Sequence, residues 1–183
     1  AHAATQLPHA AGVAWAAKMQ KKPTVALALF DAVEVDAEDF HTGLNFAGVF
    51  RLPAIFVCVN DGQTAPLLAS ETIAVRALAY GIAGVRVDGG DLLAVAGAVR
   101  AAAERARKGA GATLVEAVLG EGDSLARLAG WLAEEKILDA AAEAAMRREV
   151  EGELRAAVAA ESPVGPPPAQ TLVEDVLARR STT

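Results

Sequence analysis

The chain has 183 residues, enough for one domain with a sizeable core. Hydrophobic residues make up 53% and aromatic ones 4%, so that core is expected to be built from Ala, Val and Leu. Seventeen Lys and Arg stand against 23 Asp and Glu, a net charge of -6, which argues against a nucleic-acid or anionic-membrane partner.

The single cysteine excludes an internal disulfide framework and fits a reducing, cytoplasmic setting. Cys58 lies inside the apolar run Ile55–Val59 and reads as a buried structural thiol. No apolar run approaches the ~20 residues of a membrane span, and no basic segment followed by an apolar stretch opens the chain. The opening Ala1-His2-Ala3-Ala4-Thr5-Gln6 reads as an internal stretch of a longer protein.

Strand and helix patterns alternate along the first two thirds. Pro8–Gln20 has helical composition, Lys21-Lys22-Pro23 breaks it, and Thr24–Phe30 is a β-rich apolar run. Ala37–Phe50 is predicted helical, then Leu52-Pro53 turns the chain into the strand Ala54–Val59. Glu71–Tyr80 is predicted helical, with Ser70 as its cap and Gly81 at its end. A short strand Val85-Arg86-Val87 precedes a helix Asp91–Lys108 with Asp91 at its N-cap, and Thr113–Val118 is the next strand. Buried strands joined by helices imply an α/β fold with a mostly parallel sheet and helices on both faces.

Beyond Leu119-Gly120-Glu121-Gly122-Asp123 the character changes. Ser124–Glu135 and Asp139–Glu161 are helical and rich in Ala, Glu and Arg, Ser162–Pro168 is a Pro-rich linker, and Thr171–Arg179 suits a last short helix. The expected organisation is an α/β domain over 1–122, a C-terminal helical appendage packing on it over 123–161, and a linker with a terminal helix over 162–183.

In a parallel α/β sheet ligands bind beyond the carboxyl ends of the strands. That directs attention to Asp31–Asp36, Asn60–Ala69, Asp88–Asp91 and Leu119–Asp123. Asp31 and Asp61 follow neighbouring strands and could share one Mg²⁺ or Ca²⁺, which take oxygen ligands. The competing reading is a solvated acidic loop with an Asx-type turn. Asp88-Gly89-Gly90-Asp91 could cradle a phosphate with backbone N–H groups or simply serve as a turn with a helix cap. His2, His9 and His41 lack metal-ligand spacing and read as structural or exposed. Ser70 and Ser124 precede helices, where capping explains them better than nucleophilic catalysis, and no residue is assigned a catalytic role.

Several stretches together resemble a known family. They are Gln6-Leu7-Pro8-His9-Ala10-Ala11-Gly12, Val25–Phe30, Asp39–Val59, Ser70-Glu71-Thr72-Ile73, Ala77–Gly81 and Gly84–Gly89, with Glu104–Arg107 ahead of Thr113–Ala117 and the helical region Asp123–Val158. The pattern is similar to the alpha subunit of the decarboxylating component of 2-oxo acid dehydrogenase complexes, of the pyruvate and branched-chain type. The resemblance implies a thiamine diphosphate-binding fold with the N-terminal part of the subunit missing. It also implies oxidative decarboxylation of a 2-oxo acid with acyl transfer to lipoyl, a beta-subunit partner and a second alpha copy. In such subunits Mg²⁺ holds the cofactor diphosphate through an Asp of Gly-Asp-Gly, an Asn of Asn-Asn and a backbone carbonyl.

This chain departs from that pattern at each part of the site. Gly-Asp-Gly aligns with Asp31-Ala32-Val33, so the metal carboxylate falls on Ala32. Asn-Asn becomes Asn60-Asp61, which leaves these two as the remnant of a cofactor site and Asp31 with Asp61 as the metal candidates. The family's Gly-Gly before Gln-Val-Pro is Ala4-Thr5. Its Tyr-Arg and His-Ser loop after the Glu-Ala-Val strand is replaced by Leu119-Gly120-Glu121-Gly122. The expectation is an alpha-subunit copy with impaired chemistry. The alternative is a non-catalytic scaffold or assembly subunit that keeps the fold and a dimerising helix Asp39–Phe50, in which Gly43 and Gly48 permit close backbone packing.

Overall fold

The computed structural model describes residues 3–62, 70–161, 165 and 169. His2, the loop over 63–69, the Pro-rich stretch apart from Gly165, and the predicted helix Thr171–Arg179 lie outside the described residues. The chain divides into two compact units, Ala1–Trp131 and Leu132–Thr183.

The first unit is an α/β sandwich. Helix α1 (Gln6–Met19) leads into β1 (Ala26–Asp31), a 3-10 helix (Ala32–Asp36), α2 (Glu38–Val49) and β2 (Ala54–Asn60). A second 3-10 helix (Ala74–Tyr80) leads to β3 (Ala83–Asp88), α3 (Leu92–Arg107), β4 (Thr113–Val118) and α4 (Ser124–Glu134). The four strands form one parallel sheet in the order β1-β2-β4-β3.

Both faces of the sheet are covered, by different elements. On one face α1, α2 and the second 3-10 helix pack on Ala28, Phe30, Phe56, Cys58 and Leu114. On the other α3 packs Val95, Val99 and Ala102 on Ile55, Val57, Val115 and Ala117. Burial therefore runs almost unbroken along β2 and β4, whereas β1 alternates, with Leu27 and Leu29 exposed on the α3 side. Alternation is what an edge strand shows when one of its faces lacks a covering helix.

Helix α1 buries Leu7, Ala10, Ala11, Ala14 and Ala17, a small-residue stripe at helical spacing that lets α2 approach closely. Gly43 of α2 lies against the Leu7 backbone, and Gly48 lies against the Tyr80 carbonyl. The two glycines thus serve packing within this chain. Trp15 of α1 stacks with Phe46 and Phe50, ring centroids 4.7 and 4.0 Å away, and closes the far end of that contact.

Two elements differ from expectation, the first being Ala32–Asp36, read as a loop and formed as a 3-10 helix. The segment predicted as a helix from Glu71 is a 3-10 helix that starts at Ala74. Ser70 does not cap it, because its hydroxyl donates to the Thr72 carbonyl at 3.0 Å. Instead Thr72 Oγ1 accepts from Val75 N at 3.3 Å, and the distant Glu116 carboxylate accepts from Ala74 N at 2.9 Å.

The second unit holds the end of α4 and α5 (Ala140–Glu161), which Asp139 caps by accepting from Ala142 N at 2.8 Å. Its ion pairs Arg147–Glu143 and Arg155–Glu151 are spaced i,i+4, and Met146, Val150, Leu154 and Val158 form an exposed row. Among the described residues no helix is long and apolar enough to cross a membrane.

Candidate functional site

Because all four strands run parallel, their carboxyl ends gather on one side. In register, Asp31 stands beside Val59, while Asn60 and Asp88 both stand beside Val118. A cavity of about 270 Å³ opens there, lined by Asp31, Ala32, Val33, Val59, Asp61 and Leu119. Asp31 and Asp61 therefore do border one mouth. Among the described residues no cationic side chain lines it. Among the described residues no group of three or more His, Cys, Asp or Glu is arranged to hold a metal ion.

The acidic segment after β1 folds as a 3-10 helix that leaves Asp31 and Asp36 exposed. Ala32 and Val35 turn into the core, each 3% exposed. Glu34 accepts from Ala4 N at 2.6 Å, from Gln6 Nε2 at 3.1 Å and from Asp31 N at 2.8 Å. It ties the start of α1 to the end of β1. Ala4 itself is buried at φ 63°, a left-handed conformation that suits glycine, the residue the family resemblance places there. Asp36 pairs with Arg76 at 3.3 Å, and Arg76 also donates to the Val35 carbonyl at 2.7 Å.

Asn60 is engaged at both ends of its amide. Nδ2 donates to Glu116 Oε1 at 2.9 Å, and Oδ1 accepts from Gly62 N at 3.1 Å in an Asx turn. Its carbonyl accepts from Leu119 N at 2.8 Å, which stitches the β2 and β4 exits together. Oδ1 retains a second lone pair toward a cation.

The turn Asp88–Asp91 has its amides committed, Gly89 N to the Val118 carbonyl at 2.7 Å and Asp91 N to the Asp88 carbonyl at 3.2 Å. Asp88 Oδ1 accepts from Gly90 N at 2.9 Å, and Asp91 caps α3 by accepting from Leu93 N at 2.9 Å and Ala94 N at 3.1 Å. Arg127 of α4 then clamps both carboxylates, at 2.7 Å to Asp88 and 3.4 Å to Asp91. That fits the turn-and-cap reading of this motif; with its amides committed and two carboxylates in place, it is a poor phosphate cradle. The Arg127 hydrogen bond, more than the Gly90 amide, holds the Asp88 carboxyl below its ordinary pKa. A lowered folded-state value means that Asp88 adds stability above the ordinary carboxylate range. The contribution is lost as pH falls through its depressed value. We expect Arg127→Met to return the Asp88 titration toward the ordinary range in a carboxyl-carbon NMR titration; an unmoved midpoint would refute this clamp.

The remaining candidates are placed as structural groups. Cys58 is fully buried, and burial, then the neighbouring Glu116, pushes its thiol up to about 12, so it is not a nucleophile. His9 is exposed, and His41 Nδ1 lies 3.2 Å from the Tyr80 hydroxyl. The residue that sequence reading passes over is Glu116, 2% exposed in the middle of β4. Its signal was a carboxylate inside an otherwise apolar run, which burial permits only with partners.

A four-stranded parallel sheet with helices on both faces defines an α/β class of fold. Residues 1–119 match the family described as "Dehydrogenase E1 component", and the chain belongs to that family. It is 44% identical over 119 residues to the 2-oxoisovalerate dehydrogenase subunit alpha of Bacillus subtilis, covering 62% of this chain and 36% of that one. It is 40% identical over 119 residues to the 3-methyl-2-oxobutanoate dehydrogenase subunit alpha of Mycobacterium tuberculosis, covering 62% and 32%. The chain thus spans about a third of the length of these relatives. Benzoylformate decarboxylase from Polynucleobacter necessarius superposes with a TM-score of 0.47 at 15% identity, over 63% of this chain and 23% of that one.

The residues at the strand-end mouth do not fit the cofactor that the resemblance implies. Asp31 and Asp61 are hard oxygen donors suited to Mg²⁺. Among the described residues a diphosphate beside them would meet no cationic side chain, a buried Ala32 in place of the carboxylate, and an exposed Val33 side chain in place of glycine.

Proposed function

We propose that this chain is a 2-oxo acid dehydrogenase alpha-subunit copy that does not hold thiamine diphosphate by itself and acts as a scaffold or assembly component. The observation that carries this reading is Ala32, which is packed into the core at 3% exposure where the family resemblance requires a metal-binding carboxylate. A methyl group in the core cannot coordinate an ion, and Asp31, the nearest carboxylate, has its backbone amide fastened to Glu34. Around it the parallel sheet and the helices that cover both its faces are formed, which is what a scaffold role requires.

The family reaction, decarboxylation of a 2-oxo acid, depends on a cofactor for its carbanion chemistry, with the protein supplying position and electrostatics. In this reading the natural partners are a beta subunit and a second alpha copy. Isothermal calorimetry with thiamine diphosphate and Mg²⁺, with the beta subunit present, is expected to give no Mg²⁺-dependent heat. A saturable, Mg²⁺-dependent isotherm would overturn the proposal.

A further inference from the structure

We propose that the opposite end of the sheet, at the amino ends of the strands, carries an anion-binding site for a phosphorylated small molecule. A cavity of about 370 Å³ lies there, bordered by Lys18, Lys21, Lys22, Arg51 and Arg107. Among the described residues no acidic side chain lines it. Five cations converge in a chain whose net charge is -6, while Asp31, Asp61, Asp88 and Asp91 sit at the far end. Composition alone does not produce that segregation.

Helix ends explain part of the cluster. Cations near a helix C-terminus are favoured because they meet the last unpaired carbonyls. Lys18 Nζ donates to the Phe50 and Arg51 carbonyls, at 2.5 and 3.4 Å, and Arg107 Nε donates to the Pro23 carbonyl at 3.3 Å. Lys18 thus serves this need, and Arg107 braces the loop ahead of β1. Lys21, Lys22 and Arg51 have no side-chain hydrogen bond or ion pair among the described residues, and all three are exposed.

The backbone supplies an independent observation. Helices α1, α2 and α3 all close with the same left-handed residue, at Lys21 (φ 54°), Arg51 (φ 46°) and Gly109 (φ 78°). Each is followed by the wrapping bond of this motif: Lys22 N to the Ala17 carbonyl, Leu52 N to the Ala47 carbonyl, and Ala110 N to the Arg105 carbonyl. Glycine is the unstrained residue at such a position. Two of the three positions instead carry long cationic side chains, and both of these border the cavity. Lys136 closes α4 in the same conformation away from the cavity, so what distinguishes Lys21 and Arg51 is that their cationic side chains line its rim.

The chemistry suits a phosphate ester or diphosphate. Lys and Arg make charge-assisted bonds to phosphate oxygens. The cavity volume lies within the roughly 300–1,000 Å³ range of small-molecule sites. Lys21, Lys22 and Arg51 on the rim leave their charged groups available to a compact anion, with Lys18 and Arg107 adding positive charge beside them.

The test is titration of the chain with sodium phosphate and then sodium diphosphate at low salt and without Mg²⁺, followed by amide NMR. Diphosphate is expected to saturate and to shift the amides of Lys21, Lys22, Arg51 and Gly109. The double variant Lys21→Gly/Arg51→Gly is expected to fold with a higher Tm and to lose at least about tenfold in diphosphate affinity. Lys136→Gly removes a cation from the same left-handed position at the close of α4, at a residue that does not line the cavity, and is expected to raise Tm with affinity unchanged. No shift at those four amides, unchanged binding by the double variant, an equal loss in Lys136→Gly, or tighter binding of an octa-glutamate peptide than of diphosphate would each overturn the proposal. Omitting Mg²⁺ separates this outcome from the Mg²⁺-dependent cofactor test.

Discussion

Glu116→Ala is expected to lower the stability of the α/β unit by about 4 kcal/mol, read from urea denaturation. The carboxylate is 2% exposed and accepts from two groups at once, the Ala74 amide at 2.9 Å and Asn60 Nδ2 at 2.9 Å. Truncation leaves both donors without that acceptor, and each buried unpaired donor costs about 1–3 kcal/mol. It also opens a void between β4 and the second 3-10 helix, which adds to the loss. Arg86 contributes little, because its side chain is 56% exposed and its Nε stands 3.9 Å away. Glu116→Gln should be intermediate, since one of its two terminal atoms becomes a donor facing a donor. The Asn60 and Gly62 amides should shift in both variants, as Asn60 loses its anchor. A loss below about 1 kcal/mol for the alanine variant would show that the surrounding chain supplies substitute acceptors.

Gly48→Ala is expected to cost about 3 kcal/mol, near the upper end of ordinary overpacking. A Cβ at this position would run into the Tyr80 carbonyl, with Ile82 Cγ2 a further 3.3 Å contact. The obstacle is backbone on both sides, so no rotamer change relieves it. Helix α2 is held by α1 through Gly43 and the Trp15 cluster, and the Tyr80 end is held by the left-handed Gly81 at φ 65°. Gly12→Ala is the matched control. Nothing lies within 4 Å of its added methyl group, and Ala is the better helix former, so a gain of up to about 1 kcal/mol is expected. Equal effects of the two substitutions would mean that α2 does not rest on Tyr80.

Much of the architecture was legible because its causes are local. Asp91 followed by an apolar period announced α3, and β4 runs over Thr113–Val118 as its apolar run suggests. The other strands and helices of the first unit end within about two residues of the sequence reading, the usual fraying of element ends. The second 3-10 helix was misread because its first amide is satisfied from 42 residues away, by Glu116. A propensity window of ten residues contains nothing of that partner. The same holds at the strand ends. Asp31–Asp36 read as an open acidic loop, yet Glu34 reaches back 30 residues to Ala4 and Asp36 pairs with Arg76, 40 residues on.

The sequence by itself determined the family, the order of elements, the parallel sheet they imply, and the alanine at position 32. All of these rest on residue identity and near-neighbour periodicity. Tertiary structure alone decided which carboxylates are consumed as braces and which border a cavity. Glu34, Asp88 and Glu116 are committed to partners in other elements, and Asp31 and Asp61 line one cavity. It also decided that Lys18, Lys21, Lys22, Arg51 and Arg107, spread over 90 positions of chain, surround one cavity. The physical reason is common to both. Charge and hydrogen bonding act over a few ångströms of space, and only the closed sheet determines which distant residues come that near.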